Sequence, residues 1–258
     1  MTFLELTPGG GAAPLRRRVL AQAGLDARAV LRNGEQLLLT LVLPVLLLVG
    51  LAGAPFPDLG PGRRIDVLAP GVLALAVLST AFTGQAIATG FDRRYGVLRL
   101  LATTPLGRGG LIAGRVLAVL AVEVLQVAVL GALAVALGWR PEPVGVLLAV
   151  PSLVLGTVTF VAAGLLLAGT LRSEAVLAGA NLAWVLLVAL GGVLGPTALM
   201  GEQVGAFGGP ARWLPSGALG DLLRATLGQG RLDWVAVAVL LAWGTAAALA
   251  AARWFRWD

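Results

Sequence analysis

Residues 67–90, VLAPGVLALAVLSTAFTGQAIATG, run without one charged side chain into residues 91–105, FDRRYGVLRLLATTP, and the contrast between the two decides the fold. A hydrocarbon core of roughly 30 Å needs about 20 apolar residues at about 1.5 Å rise each, so the first stretch is long enough to cross a bilayer as a helix. The composition carries the same message. With 58% hydrophobic residues, 12% charged residues and a mean hydropathy of +0.92, the chain lies far outside the soluble globular range. Further runs of this kind cover 35–54, 111–137, 144–169, 175–195 and 234–252. They are continuous and rich in Leu, Ala, Val and Gly, unlike the alternating segments of about ten residues that make membrane barrels. The expected fold is all-α integral membrane with six transmembrane helices.

Orientation follows from arginine, because the chain has 19 basic residues, all Arg, and cytoplasmic loops collect them. Arg16, Arg17, Arg18, Arg28, Arg32, Arg93, Arg94, Arg99, Arg108, Arg115, Arg172, Arg253 and Arg256 fall on one side. Arg63, Arg64, Arg140, Arg212, Arg224 and Arg231 fall on the other, balanced by Asp58, Asp66, Glu142, Glu202, Asp221 and Asp233. Both termini and residues 91–110 are thereby expected in the cytoplasm. The net charge of +6 sits where membrane topology wants it, not on one soluble face, so no nucleic-acid partner is expected. Use of Arg to the exclusion of Lys points to a GC-rich bacterial source, and hence to the cytoplasmic (inner) membrane.

Residues 1–13, with Pro8 and three consecutive glycines, read as a flexible tail. In 14–34, Leu15, Val19, Leu20, Ala23, Ala27, Val30 and Leu31 recur at three-to-four-residue intervals among basic residues. That pattern fits an amphipathic helix in the cytoplasmic interface, or a basic flank that only fixes topology. The first apolar run follows with no small-residue cleavage pattern, which argues against a removed signal peptide. Pro44, Pro70 and Pro151 are expected to kink their helices. Gly156, Gly164, Gly169, Gly191, Gly192 and Gly195 permit close helix approach. Residues 35–258 are expected to form one membrane domain, within which 196–233 differs: Trp213-Leu214-Pro215 and an amphipathic stretch from Ala218 to Leu227 suggest an extracellular re-entrant hairpin, with a plain surface loop as the other reading. Trp213 and Trp234 suit headgroup depth.

Catalysis is limited by what the chain lacks. Without His, Cys or Lys it has no Ser-His dyad, His-ligated or thiolate metal site, Schiff base or phosphate-cradling GxxxxGK[ST] loop. It is not expected to be an enzyme, to hold a metal or to bind ATP itself. The informative polar residue is Glu123, about eight residues past Arg115 and so roughly 12 Å into the bilayer. A carboxylate there needs a cavity, a proton or a polar neighbour, for which Gln85, Gln126 and Asn181 are the candidates. Its role is either a structural hydrogen bond, part of a translocation path, or a proton relay.

The loop at 91–105 resembles that of the permease subunits of ABC-2 type exporters, which reads approximately E-R-E-x-G-T-L-E-x-L-x-x-T-P between the second and third helices. Asp92, Arg93, Gly96, Leu98, Leu101, Thr104 and Pro105 keep the pattern, and Arg108 and Gly114-Arg115 follow it into the third helix. Arg94, Val97 and Arg99 depart from it, two of them replacing acids by bases. The interfacial helix, the six spans and the Trp213-Leu214-Pro215 segment leading to Arg224 are similar too, so the likeness covers nearly the whole chain. What it implies is a permease half that pairs with a second permease, same or paralogous, and is driven by two cytoplasmic ATPase subunits that bind the ATP and Mg. The ATPase-coupling residues would be Asp92, Arg93, Arg94, Tyr95, Gly96, Leu98, Leu101 and Pro105, with Arg93 and Arg94 meeting acids of the ATPase. Export of a hydrophobic or amphiphilic drug, lipid or natural product is the expected function. The alternatives are an ATP-independent ion- or proton-coupled transporter or channel using Glu123, and a membrane scaffold.

Overall fold

A computed structural model describes residues 11–54, 59, 62–198 and 210–254. Among them every regular element is a helix and none is a strand. The helices are α1 (Leu15–Arg32), α2 (Gly34–Gly53), α3 (Arg64–Val77), a π-helical segment (Leu78–Gly84), α4 (Gln85–Arg94), α5 (Val97–Ala102), α6 (Gly107–Ala136), α7 (Pro143–Thr170), α8 (Ser173–Gly191), α9 (Pro215–Gln229) and α10 (Trp234–Trp254). Among the described residues five helices are long and apolar enough to cross a membrane: Arg64–Arg94, Gly109–Ala136, Pro143–Thr170, Ser173–Gly191 and Trp234–Trp254. The expected first span corresponds to α2, whose 20 residues, Gly34–Gly53, measure about 30 Å at the α-helical rise, the thickness of the hydrocarbon core.

The helix from Arg64 to Arg94 is the axis of the bundle, with α2, α6, α7, α8 and α9 packed around it. This explains why its sequence shows no apolar stripe: a helix buried on all sides needs no polar face. It widens into a π turn at Leu78–Gly84, where α7 lies against it. Gly164 of α7 makes that approach possible, since a Cβ there would stand 2.7 Å from the Phe82 carbonyl oxygen. Such π turns inside longer helices recur at functional places. Ser79, in the same turn, accepts a hydrogen bond from Trp184 Nε1 of α8 at 3.0 Å.

Two expectations are sharpened by the packing. Residues 215–229 are a helix set deep in the bundle against α3 and α7, not a surface loop, with Leu219, Leu222 and Leu223 fully buried. Residues 199–209, the other part of the expected hairpin, and residues 1–10 of the expected tail lie outside the described residues. The helix at 15–32 lies along α6, burying Ala23 and Ala27 and leaving Leu20 and Leu25 exposed.

Candidate functional site

The corner between α4 and α6 is built in two layers. At its turn, Tyr95 N bonds to the Phe91 carbonyl at 2.9 Å and Gly96 N to the Arg93 carbonyl at 3.2 Å. Gly96 has φ +77, a left-handed conformation that strains any other L residue, and so lets the chain reverse into α5. Helix α5 is a single short element anchored from beneath by Leu98, which clusters with Leu106 and Leu111 and is flanked by Val19 of α1 and Leu101. Thr103 and Thr104 close its end, their hydroxyls donating to the Leu100 and Leu101 carbonyls at 2.7 Å and 2.6 Å. Pro105 follows, exposed, before α6.

The residues that the sequence groups as one coupling set therefore divide. Leu98 is fully buried, whereas Tyr95 is 73% and Leu100 68% exposed. Arg94 and Arg99 point outward beside them, and Phe91 stacks on Tyr95 with ring centroids 6.2 Å apart. Arg93 turns the other way. It donates to the Ala168 carbonyl at 2.7 Å, to the Leu171 carbonyl, and to Ser173 Oγ at 3.3 Å. Within this chain its guanidinium satisfies the otherwise unbonded carbonyls at the end of α7.

Asp92 is also engaged inward. Arg115, at the start of α6, donates to its carboxylate and stands 3.5 Å from the Asp26 carboxylate of α1, the latter an ion pair without hydrogen-bond geometry. Asp26 accepts a hydrogen bond from Gln22 at 2.9 Å. Burial pushes the Asp26 carboxyl above the usual carboxylate range, and Arg115 opposes that rise. One buried cation so ties α1, α4 and α6 together. The sequence marks Arg115 as a topology charge and as part of the motif entering the third helix, but not its pairing with Asp26; a lone acid inside the basic helix α1 was the available signal.

Of the candidate polar neighbours Gln85, Gln126 and Asn181, none is hydrogen-bonded to Glu123. Glu123 accepts from Thr157 Oγ1 of α7 at 2.6 Å, and its other carboxyl oxygen is buried without a hydrogen-bond partner. Gln126 bonds instead to Thr80 in the π turn at 3.0 Å and to the Thr40 carbonyl at 3.1 Å. Gln85 is buried apart from both, and Asn181 lies exposed on α8. Thr157 and Thr80 were the missed partners, one and two helices away in the chain. Among the described residues no group of His, Cys, Asp and Glu is placed to hold a metal ion.

A family model described as ABC-2 type transporter matches residues 25–217, which takes in the corner, the mid-span groups and the start of α9. The chain belongs to the ABC-2 type transporter family. It is accordingly a multi-pass membrane permease subunit, of a family that works with ATP-binding subunits in ABC transporters. No curated protein matches the chain.

Proposed function

We propose that this permease is one membrane half of an exporter in the bacterial cytoplasmic membrane. It crosses the bilayer six times, with α2 as the first span, α1 in the cytoplasmic interface and both termini in the cytoplasm. It pairs with a second permease, same or paralogous, and two separate ATPase subunits supply ATP and Mg. The observation that carries the reading is the corner itself: exposed Tyr95 and Leu100 flanked by Arg94 and Arg99, where the end of α4 turns into a short helix fixed to α1, α4 and α6. An exposed aromatic and aliphatic patch rimmed by guanidinium groups suits a protein groove with acidic edges. ATPase closure would press on that patch, and the rigid anchors would pass the push on: Leu98 to α1 and α6, Arg115 to α1, Arg93 to α7 and α8.

Export of a hydrophobic or amphiphilic compound fits helices whose lining is Leu, Val, Ala and Phe. The ion-coupled alternative gains no support from Glu123, which is bonded to Thr157 and not to Gln85, Gln126 or Asn181. The reading is tested by co-expressing the permease with an ATPase from a neighbouring gene. Wild type should copurify with it, and Tyr95→Ala with Leu100→Ala should release it while the permease remains folded. Equal copurification of the two would contradict the coupling role of the corner.

A further inference from the structure

At the end of the bundle opposite the corner lies a cavity of about 640 Å³, lined in part by Asp66, Arg212, Asp221, Arg224, Arg231 and Asp233. Asp66 begins the same long helix that Arg94 ends, so the two sites are roughly 40 Å apart along it, the thickness of a bilayer with its headgroups. The cavity holds three acids and three bases, yet its free charge is positive. Asp66 is held by Arg63 at 2.9 Å, and Asp221 by Arg224 at 2.8 Å and by Thr197. Asp233 caps α10, accepting from the backbone of Val235 at 3.0 Å and Ala236 at 3.2 Å. Among the described residues neither exposed arginine has a carboxylate partner. Arg231 bonds to Gln229 at 2.6 Å through Nε alone, and Arg212 lies 5.4 Å over the Trp213 ring.

The cavity opens beside an apolar groove of about 510 Å³, with Val235 lining both. Trp213, Trp234 and Trp243 wall this groove, and the small residues Ala238 and Ala242 form its floor. Trp243 donates to the Trp213 carbonyl at 2.9 Å, which fixes the far wall. From Trp234 to Trp243 the groove descends roughly 13 Å along α10, from the end of a spanning helix toward its middle. A plain aromatic belt would put its rings at headgroup depth only. Here the rings continue inward as the walls of a slot, and two guanidinium groups with no carboxylate partner among the described residues stand at its mouth.

We propose that this cavity and groove form a binding site for an acidic phospholipid, its phosphate-bearing head at Arg212 and Arg231 and one acyl chain between Trp234 and Trp243. Charge complementarity selects the acidic head, and the slot on the lipid-facing side of α10 selects a chain already in the bilayer over a soluble anion. The site rests on the membrane assignment of α10 and not on the exporter reading.

The test uses the full-length permease in phosphatidylcholine nanodiscs containing a small fraction of lipid brominated on its acyl chains, either phosphatidylglycerol or phosphatidylcholine. Tryptophan quenching is recorded for wild type, R212Q/R231Q and W234F/W243F. Brominated phosphatidylglycerol should quench preferentially, and each arginine lost should lower that preference about fivefold. W234F/W243F should remove the same part of the preferential quenching, which separates this site from acidic lipid gathered by the arginines at the other end. Equal quenching by the two lipids, or a preference that survives in either variant, overturns the proposal. Copurification of an ATPase is unaffected by either outcome, so the failure of one reading is visible apart from the other.

Discussion

Arg93 reaches the Ala168 carbonyl at 2.7 Å, across the gap between the end of α4 and the end of α7. A helix end leaves its last four carbonyls without intrahelical partners, and a cation there answers both their hydrogen-bonding need and the helix dipole. The first prediction follows from this difference between neighbours. Arg93→Ala should destabilise the purified permease by about 1–2 kcal/mol, the scale of a charged hydrogen bond reduced for partial exposure. Arg94→Ala should change stability by less than about 0.5 kcal/mol. Thermal unfolding of both variants in one detergent checks the contrast.

Arg115 between Asp26 and Asp92 gives the second. Removing one member of a buried ion pair leaves the other charge uncompensated, so Arg115→Ala should cost about 3–5 kcal/mol. The acid side has a sign of its own. Burial raises the folded-state pKa of Asp26 above its unfolded value, so the folded protein takes up the proton first. That contribution to stability is full below the unfolded pKa and is lost as pH rises through the elevated folded value. Asp26→Asn should therefore flatten the pH dependence of the unfolding temperature between those two values, measured on wild type and variant side by side. An unchanged pH profile would refute it.

Helix α9 can lie on α7 only because residue 145 has no side chain: a Cβ there would stand 1.9 Å from the Thr226 carbonyl oxygen. Gly145→Ala should displace α9 and destabilise the protein by about 1–3 kcal/mol, the range for overpacking. Gly131→Ala, where a Cβ meets nothing within 4 Å, should be tolerated. Comparing the unfolding temperatures of the two alanine variants decides it.

Glu123 and Thr157 make the fourth. Glu123→Gln keeps an acceptor for the Thr157 hydroxyl at 2.6 Å and should leave assembly near wild type, while Glu123→Ala should cost about 1–3 kcal/mol. A proton-coupled transporter would show the reverse emphasis, losing transport in Glu123→Gln without loss of stability. Transport and thermal unfolding measured on both variants separate the two.

Five of the spans were legible because crossing a bilayer demands a long apolar run, a property of local sequence alone. The run at 67–90 widens in the structure to Arg64–Arg94 because the charged ends of a buried helix continue it past the apolar part. The turn at Gly96 was legible for a similar reason, since a glycine between a charged run and an apolar helix marks a reversal. What stayed hidden is non-local. Arg93 and Arg94 look alike in sequence, and only the position of the α7 end separates an internal cap from an exposed cation. Glu123 finds its partner 34 positions away on another helix, which no spacing rule within α6 reveals. The depth of α9 was hidden because Ala218–Leu227 has the same apolar spacing whether it lies on a surface or inside a bundle.

The central claim is that the exposed face of the α4–α5 corner couples the permease to ATP hydrolysis. It is tested most directly by measuring the ATPase rate of the reconstituted complex with wild-type permease and with Tyr95→Ala plus Leu100→Ala, two substitutions that leave the Leu98 anchor and the Arg93 cap intact. The account predicts that the variant permease folds as wild type does but no longer alters the ATPase rate of the subunits it is mixed with. A variant that still binds the ATPase and stimulates it to the wild-type rate would contradict the claim.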